Sequence, residues 1–137
     1  MFKRGVTLLE LLIAVSLIGL ISAISIVAIN PGQQLASARN VERERELEQI
    51  YEAIDLYVTN NNGQLPTEIP SDTYQEICRQ GASEAECIND GLVDLEPSLV
   101  PTYLNEIPDD PQTASANGTG YEIRYITIDE VNYISLG

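Results

Sequence analysis

Histidine is missing from the 137 residues, and basic side chains are scarce, with seven Lys and Arg against 21 Asp and Glu for a formal net charge of −14. Without histidine no Ser-His or Cys-His pair can form, and two cysteines alone do not complete a zinc shell. No glycine-rich phosphate loop stands between a strand and a helix. Carboxylate pairs are the remaining acid–base option, but glycosidase-type chemistry needs two of them about 5 to 9.5 Å apart in a cleft, and so small a chain offers little room for one. The expectation is a chain that is not an enzyme and takes no cofactor. The shortage of Lys and Arg also removes the cations that neutralise a phosphate backbone, so no direct nucleic-acid binding is expected.

What is present is concentrated at the start. Lys3-Arg4-Gly5 leads into a run from Val6 to Ile29 that is apolar or small except for Thr7, Glu10, Ser16, Ser22 and Ser25. As a helix this run is roughly 36 Å long, enough to cross a hydrocarbon core of about 30 Å. The basic pair orients its N-terminal end to the cytoplasm, with the acidic remainder outside. A cleaved secretory signal is the competing reading, but the basic region is short and the apolar run exceeds the usual length. Glu10 is the anomaly, because a carboxylate at bilayer depth costs about 2.5 to 3.5 kcal/mol on insertion scales and calls for a partner.

Asn30-Pro31-Gly32 should interrupt or kink the helix. Beyond it Leu47, Ile50, Tyr51, Ile54, Tyr57 and Val58 recur at helical spacing as one apolar stripe. The mixed-charge run Glu42 to Glu46 reads as a solvated turn with local ion pairs. Asn60-Asn61-Asn62-Gly63 ends the helix. Residues 64 to 100 form a long connection with a short helical turn around Ser83 to Asn89. In a segment outside the cytoplasm Cys78 and Cys87 read as a disulfide, with free thiols as the alternative. Leu99 to Leu104 reads as a further short strand. Tyr121, Ile123 and Tyr125 alternate with Glu122 and Arg124 as a half-buried strand. Its phase changes at Ile126, implying a bulge or an end covered on both faces. Asp129-Glu130 is a turn, and Val131 to Leu136 a second strand. Asn117-Gly118-Thr119 fits a glycosylation sequon, but a polar turn is the favoured reading.

The fold class is thus α+β, with a long N-terminal helix whose hydrophobic half spans the membrane and whose amphipathic half packs on a small antiparallel sheet. Expected boundaries are a basic N-terminal segment at 1–5, a transmembrane helix at 6–29 and an extracytoplasmic domain at 30–137. Within that domain the helix covers about 33–60, the connection 61–100 and the sheet 101–137.

Lys3-Arg4-Gly5, the following Val6-Thr7-Leu8-Leu9-Glu10-Leu11-Leu12-Ile13 and the apolar tract to Ile29 resemble the class III leader of type IV pilins and pseudopilins. Asn30-Pro31-Gly32-Gln33-Gln34, Asn62-Gly63 with Leu65-Pro66, Leu99 to Leu104, Ile107 to Pro111 and Gly120-Tyr121 are similar to short pilins related to the major pseudopilins of type II secretion. The resemblance implies a pilin-like fold and a structural subunit of a type IV pilus or pilus-like filament. A pseudopilin of a type II secretion system is the alternative, and an uncleaved membrane-anchored binding module a further one. It also implies cleavage by a prepilin peptidase between Gly5 and Val6, N-methylation of Val6, and pairing of Glu10 with the new amine of a neighbouring subunit. Its implied partners are further copies in a homo-oligomeric filament, the peptidase, an inner-membrane assembly platform, minor pilins, and membrane lipid before assembly. Gly19 matches the family's helix-loosening glycine; the usual proline near Val27 is missing, which shifts helix flexibility toward Pro31 and Gly32. The family's C-terminal calcium loop is missing too, so no metal is expected, with Asp109 and Asp110 as weak candidates. The implied location is a single-pass inner-membrane protein before assembly and a cell-surface filament afterwards.

Overall fold

In a computed structural model, residues 5–137 are described, leaving out the side chains of residues 26–29. The chain divides into two compact units, 1–41 and 42–137. The first helix, α1, runs from Leu8 to Ile29 and is capped by Thr7, whose hydroxyl accepts the Glu10 amide at 3.3 Å. It stops at Asn30, which takes a left-handed backbone conformation that asparagine tolerates better than most residues. The second helix, α2, begins at once with Pro31 and runs to Asn60. Proline suits that position because a first-turn amide has no intrahelical acceptor to lose. Asn62 and Gly63 then turn left-handed, and the Gly63 amide bonds back to the Val58 carbonyl at 2.9 Å.

In the second unit the α2 stripe meets a three-stranded antiparallel sheet of order β1-β2-β3, formed by Gln75–Cys78, Gly118–Ile128 and Val131–Leu136. Ile50, Ala53 and Ile54 of α2 are buried with Ile77, Leu95, Leu99, Tyr121 and Ile123. Tyr57 packs edge-on against Tyr103 with ring centres 5.7 Å apart. Tyr51, counted in the stripe from its spacing, is instead half exposed, because it lies about 100° around the helix from Ile50.

The connection between α2 and β2 is more ordered than its composition implies. It contains β1, which pairs with β2 through Gln75 opposite Ile123 and Glu76 opposite Glu122, with a register irregularity before Cys78. It also contains two short helices, α3 at Glu84–Asn89 and α4 at Glu96–Leu99. Ser83 and Glu86 form a reciprocal capping box that starts α3. Residues 99 to 104 do not form a strand. Pro97 sits in the first turn of α4, and Leu95 and Leu99, four apart, are buried together.

The β2–β3 hairpin turns at Asp129-Glu130, both with positive φ. Its register runs unbroken from Ile123 opposite Leu136 to Ile128 opposite Val131. The change of phase after Tyr125 therefore has neither expected cause: no bulge interrupts β2 there, and Ile128, Val131 and Tyr133 are about half exposed.

Candidate functional site

The N-terminal segment supplies the first functional surface. Gly5 and Val6 precede the Thr7 cap in non-helical backbone, so the bond between them lies just outside the regular hydrogen-bond ladder of α1. Lys3 and Arg4 of the basic leader lie outside the described residues. Over Leu8 to Ser25, α1 is the single described helix long and apolar enough to cross a membrane, and none of that window is buried within the chain. Its hydroxyls are satisfied internally: Ser16, Ser22 and Ser25 donate to the carbonyls of Leu12, Ile18 and Ile21 at 2.8, 2.8 and 2.9 Å. Glu10 is different. Its carboxylate has no ionic or hydrogen-bonding partner among the described residues, although its place in the first helical turn suits the positive end of the helix dipole.

Gly19 lies within unbroken helix, and a Cβ there would meet nothing within 4 Å, so no close contact among the described residues requires glycine at that position. The backbone interruption stands at Asn30, immediately before Pro31 and Gly32.

A second cluster braces the sheet domain. The Asp110 side chain is fully buried, and its carboxylate holds Arg43 Nε at 2.9 Å, the Gln112 amide at 2.8 Å and the Thr113 hydroxyl at 2.7 Å. Burial pushes the Asp110 carboxyl up, but the Thr113 hydroxyl, the Gln112 amide and Arg43 together hold it below its ordinary value. Asp109 pairs with Arg79 Nε at 2.6 Å. These two carboxylates, the weak metal candidates of the sequence, thus diverge to different arginines, and no group of three metal-ligating side chains occurs among the described residues. Nor are they simply solvated turn residues, since Asp110 is an anchor.

The mixed-charge run of α2 is also more than a solvated turn. Arg43 reaches Asp110, and Glu46 accepts a hydrogen bond from the Tyr121 hydroxyl of β2. Burial raises the Tyr121 hydroxyl's pKa, and the Glu46 carboxylate raises it further, so this phenol stays protonated as a donor. Spacing within residues 42–46 could not reveal these contacts, because the partners are set by tertiary packing. The Asn117 amide donates to Asp90 at 2.9 Å, while the buried Thr119 hydroxyl donates to the Ile77 carbonyl at 3.0 Å. Gly118 and Thr119 are thus the first residues of β2, with Asn117 in the bend before it, so the expected polar turn is instead the start of a strand. Cys78 and Cys87 are joined in a disulfide that ties β1 to α3, both cysteines being buried.

Comparison with curated proteins and with solved structures gave no match. The family model of the prokaryotic N-terminal methylation motif matches residues 1–26, which span the leader, Gly5, Val6, Glu10 and most of α1. The apolar helix and this leader fit membrane anchoring before assembly, and the motif implies peptidase processing and assembly into pilus-like filaments. The match covers this N-terminal motif alone, and the α+β domain that follows lies outside the matched residues.

Proposed function

We propose that the chain is a structural subunit of a type IV pilus or similar filament, cut by prepilin peptidase between Gly5 and Val6, N-methylated at Val6 and polymerised through α1. One observation carries the reading: the methylation motif leads into an apolar helix whose serine hydroxyls are satisfied internally, while Glu10 has no partner among the described residues. Cleavage after Gly5 creates the missing kind of partner, a cationic amine, on every mature copy. An unmatched carboxylate in an apolar bundle is strongly unfavourable, whereas the amine of a neighbouring copy recovers part of the desolvation cost, so Glu10 selects the axial register of assembly. The sheet domain then faces the extracytoplasmic side, and Asn30 with Pro31-Gly32 is the place where the assembled helix yields. A structural subunit of this kind is not an enzyme.

Mass spectrometry of surface material should find N-methylated Val6 as the first residue; intact Met1 there overturns the processed-subunit reading. Glu10→Ala should enter filaments about tenfold less well than the parent, as expected for loss of a buried ionic partner. Equal incorporation sinks the register role. The pseudopilin reading shares the same leader, and gene deletion separates the two: loss of surface filaments supports a pilus subunit, and loss of exported enzymes with filaments intact supports a secretion pseudopilin.

A further inference from the structure

The helical spacing of the α2 stripe continues in sequence toward residue 35, within the first unit. Stepping back from Ile50 through Arg43 by helical spacing brings Arg39 and Leu35 onto the same face. Arg43 is held by Asp110, but every residue from Asn30 to Glu42 is exposed, Leu35 at 59%. Arg39 has no ionic partner within 4 Å among the described residues, in contrast to Arg43 and Arg79. The strip therefore carries one large apolar side chain and one free cation on a chain that is otherwise strongly acidic.

A matching surface exists on the second unit. Tyr51, Asp55 and Val58 of α2 and Glu130, Val131 and Tyr133 of the hairpin line an open groove of about 490 Å³. Tyr51, Val131 and Tyr133 are half exposed within it, while Asp55 and Glu130 contribute exposed carboxylates. An apolar groove bearing two carboxylates is complementary in charge and polarity to a strip bearing Leu35 and Arg39, and repels the acidic surface that dominates the rest of the chain.

We propose that this groove receives the Leu35–Arg39 strip of a second copy, with Leu35 against the tyrosines and Arg39 facing Asp55 and Glu130. The contact rests on the filament reading above and adds a lateral bond between subunits that is separate from the pairing of Glu10.

The test places p-benzoyl-phenylalanine at Leu35 in the full chain and maps photocrosslinks by mass spectrometry in isolated filaments. Crosslinks to residues 51–58 or 130–134 of another copy are expected. Arg39→Glu should lower filament yield about tenfold, and Asp55→Arg or Glu130→Arg in the same chain should restore it, since reversing both charges recreates the complement. Intact filaments whose crosslinks map elsewhere, or Arg39→Glu filaments at parental yield, overturn the contact and leave the filament reading standing. A parent chain that forms no filaments overturns both.

Discussion

At Asp110 burial and pairing act in opposite directions on one carboxyl, and pairing prevails. Because its folded pKa lies below the ordinary value of 3.8, its contribution is full above that value and is lost as pH falls through the lower folded one. Asp110→Asn should therefore cost about 1–2 kcal/mol at neutral pH, the scale of hydrogen bonds to a charged group, and remove part of the acid limb. Denaturant unfolding of the detergent-solubilised chain at pH 7 and pH 3, followed by near-ultraviolet circular dichroism, checks both: the gap between variant and parent should be smaller at the lower pH. The residues of the leader were legible because Gly5, Val6 and Glu10 form a contiguous pattern, and the methylation motif falls on that stretch. Asp110 was not legible. Its partner Arg43 lies on another element, and two adjacent aspartates between prolines look the same in sequence whether they are solvated or buried.

Among the elements, the hairpin was readable and the connection only partly so. Alternation through Tyr121, Ile123 and Tyr125 marked β2, and Asp129-Glu130 marked its turn. β1 has four residues and no alternation to display; it is a strand because β2 on one side and Val93 on the other complete its hydrogen bonds. The serine-to-glutamate spacing of Ser83 and Glu86, by contrast, is a sequence signal for the start of α3. Two predictions belong at this scale. Glu130 has φ of 66°, a conformation costing a side chain roughly 1 kcal/mol, so Glu130→Gly should stabilise the domain by about 0.5–1 kcal/mol, read from the denaturant midpoint. Replacing both Cys78 and Cys87 by alanine should destabilise it by about 2–3 kcal/mol, as expected for a closed loop of about ten residues. Unfolding the parent with and without reductant provides an independent check, since reduction should reproduce most of that loss.

For the whole molecule charge is the dominant quantity. In the proposed processed form, cut after Gly5, Lys3 and Arg4 are gone, leaving five basic against 21 acidic side chains, or −16 before termini. Packing such subunits side by side sums their repulsion, which salt screens over about 30 Å at 0.01 M but about 8 Å at 0.15 M. Filament yield should accordingly rise between those ionic strengths, measured by sedimentation and electron microscopy, and a flat response would show that acidic surfaces stay apart in the filament. In the proposed filament the apolar helix α1 answers to a different constraint. Since Ser16, Ser22 and Ser25 already spend their donors on their own backbone, moving α1 from lipid into a bundle of identical helices exchanges one apolar surrounding for another with no serine bond to break or remake. In the proposed assembly the serines thus give the step no direction, which is left to the Glu10 carboxylate.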